Sequence, residues 1–101
     1  MFGQAGHFMR LDDGHPAKEY GTTRYKEEGA RLLSVLETQL TATGAYMAGP
    51  DISMADLAGW PWISGAISMG MADGSLYPAV TKWVERVGER EGVKRGLAVF
   101  A

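Results

Sequence analysis

The sequence predicts an all-α fold, an irregular bundle of four to five helices. Three observations carry that prediction. A complete helix-start device stands at Ile52-Ser53-Met54-Ala55-Asp56-Leu57, and the stretch from Ala17 to about Ala42 repeats its apolar residues at three- and four-residue spacing. No run alternates in the two-residue rhythm of a half-buried strand.

Residues 1–9 read as a short apolar helix, and Arg10 to Pro16 as a polar loop turned by Asp-Asp-Gly. The long amphipathic helix follows. Tyr25, Leu32, Leu33, Leu36 and Leu40 fall on its expected inner face, with Lys26, Glu27, Arg31, Glu37 and Gln39 opposite and Gly44 as its stop. Gly21 and Gly29 each weaken it by about 1 kcal/mol relative to alanine, which marks both as points where a neighbouring element can come close.

The second strong helix starts at Ser53 and runs to about Gly70. Ser53 is the expected N-cap, accepting from the Asp56 N–H while the Asp56 carboxylate reaches back to the Ser53 N–H. Ile52 and Leu57 flank the box as a hydrophobic staple. This device is structural. Nothing supplies the third member of a serine triad, and capping already uses both side chains. Pro61 lies too deep for a first turn, is expected to kink the helix, and has no N–H for the Leu57 carbonyl.

After the Ala72-Asp73-Gly74-Ser75 turn, Tyr77-Pro78 opens a helix with Val80, Trp83, Val84 and Val87 inward. Glu85, Glu89, Arg86 and Arg90 form its expected solvated face. Gly92 is the expected break before a last short helix from Val93 to Phe100. Trp60, Trp62 and Trp83 are assigned to core packing, and the methionines of Ser68-Met69-Gly70-Met71 to filling the core.

With 101 residues the chain suits one domain spanning 1–101. Hydrophobic residues are 46% and charged residues 22%, which excludes a disordered or fibrous class. The net charge of −2, with signs interleaved, offers no basic block for nucleic acid. Cysteine is absent, so no disulfide, thiolate metal site or cysteine nucleophile exists within the chain, which fits a cytoplasmic protein. His15 has no partner at metal-ligand spacing, and no metal is expected. The 16 uncharged residues between Asp56 and Asp73 fall short of the roughly 20 that a bilayer core requires, so no membrane span is expected.

The run Tyr46-Met47-Ala48-Gly49-Pro50-Asp51-Ile52-Ser53-Met54-Ala55-Asp56-Leu57 resembles the signature of the C-terminal helical domain of cytosolic glutathione transferases. Residues 2–8 (FGQAGHF), Thr23-Arg24-Tyr25, Gly59-Trp60-Pro61-Trp62-Ile63, and Tyr77-Pro78-Ala79-Val80 with Trp83 are similar to one branch of that superfamily. That branch holds the bacterial Nu-class enzymes and the yeast nitrogen-regulator-like proteins. The resemblance covers nearly the whole chain. It implies a helical domain shortened at its front, with Met1 falling inside the domain's first helix and the thioredoxin-like domain of the family not represented.

The resemblance also implies a role for several side chains. Arg24 matches the arginine that points toward the glutathione site, where its planar fork suits a carboxylate. Its plainer reading is a surface pair with Glu27 or Glu28. Thr23 departs from the glutamate often found at that position in the family. Gln4 is a further implied glutathione contact. Phe2, His7 and Phe8 are implied to line the apolar pocket for the electrophile, against the ordinary reading of core phenylalanines and an exposed histidine.

No catalytic residue is assigned to this chain. Glutathione would enter as co-substrate through the thioredoxin-like domain, which is also the expected partner and the route to a homodimer. The small substrate would be an electrophile or a disulfide. A non-catalytic helical interaction module is the alternative.

Overall fold

The computed structural model describes residues 2–99, and among these it is all-helical. The elements are α1 (Phe2–Met9), α2 (Lys18–Thr43), α3 (Met54–Ser68), a single 3₁₀ turn (Gly74–Leu76), α4 (Pro78–Gly88) and α5 (Glu91–Ala98). Helix α2 is the spine. It packs against α1 on one side and α4 on the other, while α3 packs against α4 and α1. The molecule is a slab of 46 × 33 × 21 Å, so its core is thin.

The two interior glycines of α2 receive phenylalanines. A Cβ on Gly21 would stand 2.4 Å from the Phe8 ring, and one on Gly29 would stand 2.7 Å from the Phe2 ring. Position rises along α1 as it falls along α2, so the two helices run antiparallel. The absent side chains let the rings sit against the α2 backbone. Gly44, at φ 82°, ends α2, and its N–H donates to the Leu40 carbonyl at 2.9 Å. Helix α3 ends in a Schellman motif: Gly70 takes φ 77°, Met71 N donates to Ala66 O at 2.8 Å, and Gly70 N donates to Ile67 O at 3.2 Å.

Leu33, Leu40, Trp60, Val80, Trp83 and Val87 form the core cluster. Leu36, Ile52, Ile63 and Val84 pack against it. Six sequence expectations need correction, the first being Glu37, which turns from the expected outer face to accept from Ala79 N and Val80 N of α4. Leu32 is 41% exposed, because it lies about 100° round α2 from Leu33, beyond the arc that α1 and α4 cover. Trp62 is 62% exposed and is not a core residue. It stands about 200° round α3 from Trp60, and Trp60 takes the face toward α4, where its Nε1 donates to Val84 O at 2.9 Å. Met69, assigned to the core, is likewise exposed, lying beyond the last residue of α3.

Arg86 does not belong to a solvated face. Its guanidinium donates to the Ala45 carbonyl and lies 5.4 Å from the centre of the Tyr46 ring, tying the loop after α2 to α4. Finally, Gly92 sits inside α5 and does not break the chain. The break falls at Glu89–Arg90, where Arg90 turns extended at φ −65°, ψ 137°. Glycine costs a helix only about 1 kcal/mol and does not forbid it.

Candidate functional site

The residues singled out by the sequence fall on two different structures, one internal and one superficial. The internal one is built on Asp56, which is fully buried. Both halves of the expected capping box are in place, but they are unequal. Ser53 N donates to Asp56 Oδ2 at 2.9 Å, and the Ser53 hydroxyl donates to the same oxygen at 3.2 Å. The Ser53 side chain closes no cap bond of ordinary geometry to the helix N–H groups. Ile52 packs on the core, whereas Leu57 is 44% exposed, so the expected staple is only half covered.

What the sequence reading missed is the other oxygen. Asp56 Oδ1 accepts from Trp83 Nε1 at 2.7 Å and from Met47 N at 3.0 Å. One carboxylate therefore joins the loop before α3, the first turn of α3 and the middle of α4. Burial works to raise its pKa, but the bonds from Met47, Trp83 and Ser53 together outweigh it and hold Asp56 below the usual aspartate range. A carboxylate so satisfied is an anchor. It has no free lone pair to offer a substrate proton.

The superficial residues lie on α1 and α2. Phe8 stacks on Tyr25 with ring centres 5.5 Å apart and planes 17° apart, and His7 meets Phe8 edge-on at 5.2 Å. His7 is exposed and Phe8 half-buried. Arg24, next to Tyr25, lies on a shallow hollow with Tyr25, Glu27, Glu28 and Arg31. The expected pairing of Arg24 with Glu28 is pre-empted. Arg31 forks onto Glu28, with Nε donating to Oε2 at 2.8 Å and Nη2 to Oε1. That hydrogen bond holds the Glu28 carboxyl below its ordinary range. Among the described residues Arg24 forms no ion pair, so its guanidinium is open to a ligand carboxylate.

Gln4 and Phe2 sit elsewhere. With Gly3 they border a small cleft whose far wall is the exposed Trp62. The structure thus stacks Phe8 on Tyr25 with His7 at its edge, places Arg24 in a hollow with Tyr25, and sets Gln4, Phe2 and Trp62 around a separate cleft. Of the residues bordering that cleft, Trp62 is the one expected in the core and found exposed. The signal that could have placed it was its separation of two residues from Trp60. Among the described residues no cluster of acids and histidines could hold a metal ion, and no helix is long and apolar enough to cross a membrane.

Residues 4–98 match the family model of the glutathione S-transferase C-terminal domain. The chain is 38% identical to the disulfide-bond oxidoreductase YghU of Escherichia coli, over 96% of its own length and 35% of that protein's. It is 35% identical to the disulfide-bond oxidoreductase YfcG of the same organism, over 96% of its length and 43% of the relative's. A glutathione S-transferase-like protein of Aspergillus fumigatus, tpcF, is 34% identical over 96% of the chain and 47% of that protein. The chain therefore spans less than half the length of each of these relatives.

Proposed function

The chain belongs to the glutathione S-transferase C-terminal-domain family, and we propose on that premise that it is the substrate-binding helical half of a glutathione-dependent enzyme. Two of the relatives are named as disulfide-bond oxidoreductases, which favours disulfide reduction over conjugation, within the Nu-class and yeast nitrogen-regulator-like branch. The glutathione thiolate would be the nucleophile, attacking a disulfide sulfur or an electrophilic carbon. The groups that activate it belong to a thioredoxin-like domain.

The observation that carries this reading is the open guanidinium of Arg24. It shares a hollow with Tyr25, whose ring stacks on Phe8, and with Glu28, which is already paired with Arg31. An unpaired fork of N–H donors next to an apolar ring surface suits a peptide carboxylate attached to an apolar adduct. His7 lies at the edge of the same ring surface and supplies a polar contact. Gln4, in the neighbouring cleft with Phe2 and Trp62, would bind a more remote part of the ligand. In this reading the protein is cytoplasmic and pairs with itself through the thioredoxin-like domain.

Arg24→Gln in a form joined to its thioredoxin-like domain is expected to raise the KM for glutathione about 10-fold with kcat little changed, the mark of lost ground-state binding. The 101-residue chain alone is expected to turn over neither a chromogenic electrophile nor a mixed disulfide. Turnover by the chain alone, or an unchanged KM in Arg24→Gln, would overturn the assignment. The intact mass of the protein isolated from its source cells separates this reading from a docking module. A mass matching 10.9 kDa would favour the module, and one larger by a domain would favour the enzyme.

A further inference from the structure

Four charged side chains of α2, Arg24, Glu27, Glu28 and Arg31, share one hollow with Tyr25. Helical spacing permits four ion pairs among them. Each arginine can meet either acid at three or four residues along the helix. Only one of these pairs is made. Arg31 forks onto Glu28, its Nε donating to Oε2 at 2.8 Å and its Nη2 to Oε1. Arg24 and Glu27 are exposed and form no ion pair among the described residues.

The selection has a physical basis. In the Glu28–Arg31 pair the acid precedes the base, the order that the helix dipole favours, whereas Arg24–Glu28 has the reverse order. The fork also occupies both oxygens of Glu28. The Arg31 hydrogen bond is the largest cause holding the Glu28 carboxyl below its ordinary range, and the charge of Arg24 adds to it. Arg24 therefore stands within electrostatic reach of Glu28 without pairing with it. Glu27 is the weaker rival. It is exposed and screened by water, whereas Glu28 is half-buried, so an ion pair to Glu28 is the stronger one. Without Arg31, Arg24 would be the one base left in a hollow lined by two acids.

We infer that Arg31 is a positioning residue: by occupying both oxygens of Glu28 it keeps that acid off Arg24 and leaves the Arg24 guanidinium free for a carboxylate of glutathione. The ligand named here rests on the glutathione reading of Arg24; the competition for Glu28 does not.

Two readouts test the two parts separately. In the 101-residue chain, the Nε–H NMR signal of Arg24 reports its partner directly. Arg31→Gln should shift that signal, and adding Glu28→Gln should return it to the parent position. In a form joined to its thioredoxin-like domain, Arg31→Gln should raise the KM for glutathione about 2- to 5-fold, the range of an exposed ion pair, with kcat unchanged. Adding Glu28→Gln should restore the parent KM, and adding Glu27→Gln in its place should restore less. An Arg24 signal unmoved by Arg31→Gln would overturn the proposal. So would a KM that Glu28→Gln fails to restore, which would mean that Arg31 itself holds the ligand. Equal rescue by Glu27→Gln would overturn it as well, since net charge alone would then explain the effect. If Arg24→Gln leaves the KM unchanged, the glutathione reading is what fails, and the Arg24 signal still decides whether Arg31 keeps the guanidinium free.

Discussion

Helices α4 and α5 are neighbours with the same kind of sequence, yet they are held in opposite ways. Both are amphipathic, both space their apolar residues helically (Val80, Val84 and Val87 in α4, Val93 and Leu97 in α5), and both place their charges on one side. Helix α4 buries Val80, Trp83 and Val87 completely, whereas α5 buries no residue fully and rests only Val93 against the core. The difference lies in what each meets. Helix α4 is gripped at three levels: Glu37 of α2 accepts from Ala79 N and Val80 N at 3.0 Å each, Asp56 of α3 holds Trp83, and Trp60 of α3 reaches Val84 O. Helix α5 faces an open hollow. Amphipathicity reports that a helix has a face to bury; it does not report that a partner is there to bury it.

The strongest way to break the contrast is Trp83→Ala. It empties the centre of the core and frees Asp56, and should cost about 3–5 kcal/mol in denaturant unfolding. Asp56→Ala should follow at about 2–4 kcal/mol, since it strands the N–H groups of Trp83, Met47 and Ser53. Acid should act on the same bonds. Because folding holds the Asp56 pKa down, its contribution is present above the ordinary aspartate range and is lost as pH falls below about 4. The stability of the parent should therefore drop on acidification more steeply than that of Asp56→Asn, measured side by side.

Smaller effects sharpen the comparison. Glu37→Ala removes the carboxylate that caps α4 from another helix, and should cost about 0.5–2 kcal/mol. Glu37→Gln, which keeps one acceptor, should cost less. At the far end of the scale, Leu97→Ala should change stability by no more than about 0.5 kcal/mol. Amide exchange should show the same gradient. The α4 amides are expected to open only with the whole molecule, and those of α5 by local fraying.

The two candidate neighbourhoods were unequally legible. His7 meets Phe8 and Phe8 stacks on Tyr25, which shares a hollow with Arg24, because α1 packs antiparallel on α2. Gln4 and Phe2 lie apart from that group, on the cleft with Trp62, because Phe2 is drawn toward Gly29 and the core. The Glu28–Arg31 fork, which leaves Arg24 unpaired, is a choice among several equivalent spacings on one helix face. Spacing alone could not make it.

The sequence by itself determined that the chain is helical, where α3 starts, where α2 and α3 stop, and which glycines admit a neighbour. Those signals act within about four residues, the reach of a capping bond or a helical turn. Tertiary structure alone decided which tryptophan is buried, that Glu37 caps a distant helix, that Arg86 is tethered to the loop before α3, and that α5 is left uncovered. The contacts responsible join residues 24, 27 and 42 positions apart. At that range a residue's partner is set by how whole helices pack, and no local pattern encodes it.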